Sequence, residues 1–104
     1  MNKERINMLK NLLVEDSLDP FPIYGLALEY TREEPSKAEE LFEALLKNHT
    51  EYLPVYYTSA QFFSDKRQEE KAINILRKGI ELSLKQGNEK TTRELKSALE
   101  QLEF

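Results

Sequence analysis

The chain has 104 residues, 39% hydrophobic and 33% charged, so it can build one small core beneath a highly charged surface. Its net charge of −4 argues against a general nucleic-acid binder, because such proteins are normally basic. It has no Cys and one His, which excludes disulfides, a thiolate nucleophile and Cys- or His-rich metal sites. No apolar stretch approaches the ~20 residues of a membrane span, and the first residues do not resemble a signal peptide. We therefore expect a cytoplasmic protein.

Hydrophobic residues follow the helical period almost throughout, and no segment of useful length alternates with period two. The spacing predicts six helices, over residues 2–14, 20–32, 35–48, 54–64, 68–86 and 89–103. Because the connections between them are short, we expect successive helices to be antiparallel neighbours.

In the first half of the chain, the stripe that predicts the first helix consists of Ile6, Leu9 and Leu13. Asp19 is the expected N-cap of the second helix, with Pro20 as its first residue. The core-facing residues of this helix are predicted to be Ile23, Leu26, Ala27 and Tyr30. Those of the third helix are predicted to be Ala38, Leu41, Phe42, Leu45 and Leu46.

In the second half, the fourth helix begins at Pro54 and is expected to bury Tyr56, Ala60 and Phe63. The predicted core residues of the fifth helix are Ala72, Ile73, Leu76 and Ile80. Gly87 is the expected end of that helix, because glycine readily adopts the left-handed conformation of a C-cap. The sixth helix carries the last stripe, formed by Leu95, Leu99 and Leu102.

The chain contains an internal repeat. An offset of 34 residues aligns Ala38, Phe42 and Leu45 with Ala72, Leu76 and Gly79. An offset of 33 residues aligns Ile23, Tyr24, Ala27 and Tyr30 with Tyr56, Tyr57, Ala60 and Phe63. The pattern resembles the tetratricopeptide repeat family, whose unit is a helix–turn–helix of 34 residues. The resemblance implies an all-α fold, a right-handed stack of antiparallel helix hairpins of the α-solenoid type.

The chain also departs from the family pattern. Neither turn within a repeat has the family's usual glycine, and Ser59 replaces a common leucine. Gly79 occupies a position where alanine is usual. In mid-helix, this glycine is expected to cost roughly 1 kcal/mol relative to alanine unless tight packing demands it.

The resemblance divides a single domain, residues 1–104, into four parts. Residues 20–48 and 53–86 are the two repeats. Residues 2–14 are expected to pack as the second half of a missing earlier repeat. Residues 89–103 are expected to cap the stack, because Lys90, Arg93 and Glu94 fall where a further repeat would need apolar or small side chains.

Enzyme motifs are absent from the sequence. It has no glycine-rich phosphate loop, no GxSxG and no HExxH, and adjacent carboxylates such as Glu39 and Glu40 do not share a helix face. We therefore expect neither catalytic activity nor a cofactor or metal.

The resemblance implies a protein-binding function. In this family, the first helix of each hairpin lines a concave groove that holds a peptide or a helix of a partner. Carried over by register, the groove residues are Phe21, Tyr24, Leu28, Arg32, Tyr57, Gln61 and Asp65. The clamp with which one branch of the family grips chaperone tails has no counterpart here. The primary interpretation is a non-enzymatic adaptor or scaffold that binds another protein, but neither nucleic acid nor membrane, as a monomer or weak homodimer.

The alternative interpretation is a structural subunit that self-associates or docks into a larger assembly through its end helices. Exposed apolar surface at Leu13, Leu18 or Phe104 would favour it. Residues 1–52 have a net charge of −5 and residues 53–104 one of +1. The acidic half either attracts a basic partner segment or serves solubility alone.

Overall fold

The structure is a computed structural model that describes residues 1–103. The described chain is entirely helical, which confirms the predicted fold class. In chain order the elements are α1 (Lys3–Glu15), α2 (Pro20–Tyr30), α3 (Pro35–Asn48), α4 (Pro54–Asp65), α5 (Glu69–Lys85) and α6 (Glu89–Leu102). The helix boundaries lie within two residues of those predicted.

The helix ends follow from local chemistry. The Asp19 side chain accepts a hydrogen bond from the backbone N–H of Phe21 at 3.0 Å, which confirms Asp19 as the N-cap of α2. Proline occupies the first position of α2, α3 and α4, where its missing N–H costs nothing. Gly87, with φ +71°, has the left-handed backbone predicted for the end of α5.

The chain forms two compact units, Met1–Thr50 and Glu51–Phe104, the second described as far as Glu103. In the first unit, α2 packs against both α1 and α3. Its core includes the predicted residues Leu9, Leu26, Ala27, Ala38, Phe42 and Leu45. Ala27 and Ala38 are completely buried, consistent with close approach of helices where small side chains face large ones.

In the second unit, α5 packs against α4 and α6, and α6 also contacts α4. The core includes Tyr56, Ala60, Phe63, Ala72, Leu76 and Leu95, as predicted. The predicted stripe on α5 was incomplete. Ile73 and Ile80 are only half-buried, whereas Ile75, Gly79 and Ser83 are buried. Because α5 contacts two helices, its buried face is wider than a single stripe.

The buried face of α6 also differs from the prediction. Leu95 is buried as expected, but Leu99 and Leu102 are half-buried, and Thr92 lies in the core instead. The Thr92 hydroxyl is 2.6 Å from the hydroxyl of Ser83, also buried. Carbonyl oxygens of Ile80 and Asn88 lie within hydrogen-bond distance of this pair, so burial leaves neither hydroxyl unsatisfied.

Tight packing explains Gly79. A Cβ atom at this position would lie 2.8 Å from the Cβ of Tyr56 and 3.2 Å from Cδ1 of Leu95. The Tyr56 Cβ is fixed to the backbone of α4, so it cannot move without the helix. Glycine therefore allows α5 to approach α4 more closely than any other residue would.

Candidate protein-binding site

Four of the predicted site residues belong to the first unit. Phe21 and Leu28 are 52% and 39% exposed, and Tyr24, one turn after Phe21 on α2, is half-buried. Arg32 is exposed but lies two residues beyond the end of α2, which was predicted to extend to it. The core side of this helix is occupied by Leu26, Ala27 and Tyr30, so Phe21, Tyr24 and Leu28 lie on its other side.

The other three residues, Tyr57, Gln61 and Asp65, belong to the second unit. They are exposed and follow one another at intervals of four residues along α4, so they share one face. The side-chain amide of Gln61 donates a hydrogen bond to the Asp65 carboxylate at 3.1 Å. The buried residues Tyr56, Ala60 and Phe63 occupy a different side of the helix.

Tyr57 also lines an open depression of about 560 Å³ within the second unit, which we call the α4–α6 depression. The side chains that give it its chemical character are Glu51, Tyr52, Tyr57, Gln86, Thr91 and Glu94. The start of α4, the end of α5 and the start of α6 meet there. The Gln86 amide joins two of these segments by donating a hydrogen bond to the backbone carbonyl of Glu51 at 3.0 Å.

Comparison with known proteins identifies the family. No family model matches the sequence, and no curated protein matches it significantly. The chain is similar to the solution NMR structure of a tetratricopeptide repeat domain protein from Salinibacter ruber, with a TM-score of 0.77 and 31% sequence identity. The match covers 82% of this chain and 87% of the other. The chain belongs to the tetratricopeptide repeat family.

Tetratricopeptide repeat domains are in general protein–protein interaction modules without catalytic activity. The described residues of this one contain no group of three or more His, Asp or Glu side chains arranged to hold a metal ion. None of its described helices combines the length and the apolar character that crossing a membrane requires.

Several ion pairs of this tetratricopeptide repeat protein lie in the first unit. In the first unit, Nε of Arg5 pairs with the Glu29 carboxylate at 2.9 Å, which links α1 to α2. A hydrogen bond from Lys37 to Glu34 raises the pKa of the Lys37 ammonium group, and the nearby charge of Glu34 adds to the effect. In the second unit, burial raises the pKa of the Tyr56 hydroxyl, in agreement with the place of its ring in the core.

The α4–α6 depression was not predicted from the sequence. Its residues come from three segments that meet because α6 packs against both α5 and α4, and helical periodicity does not predict such a contact. Glu94 was interpreted only as a departure from the repeat pattern. One signal was present: residues 52–63 contain five aromatic residues, of which only Tyr56 and Phe63 were predicted to lie in the core.

Proposed function

We propose that this tetratricopeptide repeat protein is a non-enzymatic adaptor that binds a peptide or a helix of another protein. The contact residues are those of the exposed faces of α2 and α4. One observation carries this proposal: the two repeat-related helices expose Phe21, Leu28 and Tyr57, large side chains that the hairpin cores leave uncovered. Aromatic side chains supply large contact areas, and tyrosine adds a hydrogen-bonding hydroxyl.

The size of these faces favours a modest affinity. A standard interface buries ~1,600 Å² in total, and two helix faces of three turns each provide little more than its central part. Binding energy then depends on a few anchors. In this proposal the anchors are Tyr24 and Tyr57, with Leu28 and Gln61 beside them and Phe21, Arg32 and Asp65 at the margin.

The experiment compares proteins captured from a native lysate by immobilised wild-type chain and by the double variant Tyr24→Ala/Tyr57→Ala. Loss of the captured proteins is expected for the variant. Tyr24 is half-buried, so the melting curve of the variant is recorded first, to show that it is folded at the temperature of capture.

The matched control is Val14→Ala/Leu84→Ala, which also truncates two large side chains, both more than half exposed, outside these faces. It should capture the same proteins as the wild type. If the folded Tyr24→Ala/Tyr57→Ala variant also retains them, the proposed binding faces are wrong.

A second candidate function is that of a structural subunit. It is favoured by the exposure of Val14 and Leu18, at 85% and 77%, around the end of α1. Leu13 is half-buried, and Phe104, the other residue of this hypothesis, lies outside the described residues. Light scattering tests it. A stable oligomer that dissociates in the variant Val14→Ser/Leu18→Ser would favour this function, and a monomer at all concentrations would exclude self-association.

A further inference from the structure

The α4–α6 depression differs in charge from the unit around it. Residues 51–104 contain nine Lys and Arg and nine Asp and Glu, so the second unit is neutral overall. The depression has two carboxylates, of Glu51 and Glu94, and none of the described residues that line it is Lys, Arg or His. Arg93, next to Glu94 in sequence, lines a different depression together with Glu89. The charged side chains that line the α4–α6 depression are therefore both negative.

Both carboxylates are available to a ligand. Neither Glu51 nor Glu94 uses its carboxylate in an ion pair or hydrogen bond with another described residue. The Gln86 amide nitrogen is engaged by the Glu51 carbonyl, which leaves the Gln86 side-chain oxygen as an acceptor. The two carboxylates and this amide oxygen are acceptors, which suit a ligand that donates hydrogen bonds.

The aromatic residues of the depression add to this preference. Tyr57 is 45% exposed, and Tyr52 lies with it in the same lining. The face of a tyrosine ring attracts a cation, and a guanidinium group also stacks on it. Two rings and two carboxylates in one concavity form an environment that suits an alkylammonium or guanidinium group.

Helix dipoles oppose this preference only weakly. Pro54, in the first turn of α4, and Asn88, the N-cap of α6, also line the depression, so two helix N-termini face it. Each N-terminus is equivalent to about +0.5 of a charge, and the C-terminus of α5 contributes a similar negative amount. Two full carboxylate charges outweigh this balance. The Asn88 side chain also caps α6, accepting from the N–H of Thr91 at 3.1 Å.

We propose that the α4–α6 depression binds the cationic side chain of an arginine or lysine in the partner protein. The inference rests on the proposed protein-binding function and gives it chemical specificity: the partner segment beside Tyr57 is basic. The rings take the aliphatic stem and the cationic head, and the carboxylates of Glu51 and Glu94 accept hydrogen bonds from it.

The test uses capped tripeptides as probes of one side chain, because a site of this size is expected to bind with a dissociation constant on the order of 1–10 mM. Ac-Gly-Arg-Gly-NH₂ and Ac-Gly-Lys-Gly-NH₂ are titrated into the ¹⁵N-labelled full chain, and Ac-Gly-Gln-Gly-NH₂ serves as the neutral probe at matched ionic strength. Saturable amide shift changes are expected in residues 51–57 and 86–94 with a cationic probe and not with the neutral one. Comparing Arg with Lys shows which cation is preferred.

The variant Glu51→Gln/Glu94→Gln is expected to weaken binding of the cationic probes at least about tenfold, a change of 1.4 kcal/mol. The control Glu81→Gln/Glu100→Gln removes the same charge from exposed positions on α5 and α6 outside the depression, and should weaken it less than about twofold. A well-dispersed amide spectrum establishes that each variant is folded. Equal shifts with the neutral probe, no localised shifts, or equal losses in both variants would overturn the proposal.

The outcome is separable from that of the proposed function. If lysate capture depends on Tyr24 and Tyr57 but cationic probes do not shift the depression, the adaptor function stands and this inference fails. If the probes bind but Tyr24→Ala/Tyr57→Ala captures the same proteins as the wild type, the depression is a cation site and the proposed binding faces are wrong.

Discussion

The two repeats solve the same packing problem with different side chains. At equivalent positions the first repeat has Ile23 on α2 and Leu45 on α3, whereas the second has Tyr56 on α4 and Gly79 on α5. Leu45 and Tyr56 are both buried. The larger buried residue therefore lies on the second helix of the first hairpin but on the first helix of the second hairpin. The missing side chain of Gly79 provides the room for Tyr56.

This difference shows that two repeats of one chain can fill their cores with different residues at equivalent positions. A protein core is close-packed, so a larger side chain on one helix requires a smaller one opposite. Gly79 is costly in an isolated helix but stabilising in this hairpin, because its value depends on Tyr56.

The largest expected effect comes from placing the residue of the first repeat at only one of these two positions in the second repeat. Gly79→Leu alone is predicted to lower the free energy of unfolding by about 3 kcal/mol or more, because the added side chain collides with Tyr56 and Leu95. Tyr56→Ile alone leaves a cavity and is predicted to cost about 2 kcal/mol. The double variant should cost at least about 1 kcal/mol less than the two together. Denaturant unfolding measures all three, and additive losses would show that the two positions do not compensate.

A smaller effect separates two helical glycines. Gly79→Ala is predicted to lower the free energy of unfolding by about 1–2 kcal/mol, since the added Cβ meets a Cβ that cannot move. At Gly25 the nearest atom is the Cδ2 of Leu9, 2.9 Å from the added Cβ, at the flexible end of a side chain. There the higher helix propensity of alanine, about 1 kcal/mol, should offset the crowding. Equal losses at both positions in thermal unfolding would contradict the role given to Tyr56.

The next prediction concerns Ser59, which stands where the first repeat has Leu26. Its hydroxyl is completely buried and has no hydrogen-bond partner among the described residues. Ser59→Ala is therefore expected to raise the free energy of unfolding by roughly 1 kcal/mol, because it removes a polar group that is desolvated without compensation. The control is Ser83→Ala, which removes a bonded buried hydroxyl and should be destabilising by a similar amount. Chemical denaturation of both variants tests the pair, and a destabilised Ser59→Ala would show that this hydroxyl has a partner.

The smallest predicted effect is at the turn between α4 and α5. Arg67 has φ +62°, in the left-handed region that favours glycine, and the family's usual turn glycine is missing. Arg67→Gly is expected to raise the free energy of unfolding by about 0.5–1 kcal/mol, because glycine adopts this conformation without strain. A lower melting temperature for this variant would mean that the Arg67 side chain contributes more than its backbone costs.

Hydrophobic periodicity was sufficient to predict the helices and most of the core, and the internal repeat was sufficient to predict the family. Polar caps such as Asp19 and small residues such as Ala27 are local signals, and the structure confirms them. Contacts that join three helices were not predictable in the same way. The burial of Ser83 and Thr92 and the lining of the α4–α6 depression depend on how α6 lies against α4 and α5, which no spacing along one helix encodes.

The burial of Ser83 and Thr92 was not predicted because of their side-chain chemistry. Both residues are polar, so a hydrophobic stripe does not include them; Ile73 and Ile80 were predicted on α5 instead, and Leu99 and Leu102 on α6. The two hydroxyls are 2.6 Å apart, close enough for one to donate to the other, and this pairing depends on how the two helices pack together.

The most direct test of which surface binds the partner is a titration of the ¹⁵N-labelled chain with a partner captured from lysate. The amide spectrum is recorded at each step. Binding through the proposed faces should broaden or shift the amides of α2 and α4 around Tyr24, Leu28, Tyr57 and Gln61. Changes confined to α1 and α6 would contradict that proposal and favour a subunit that docks through its end helices.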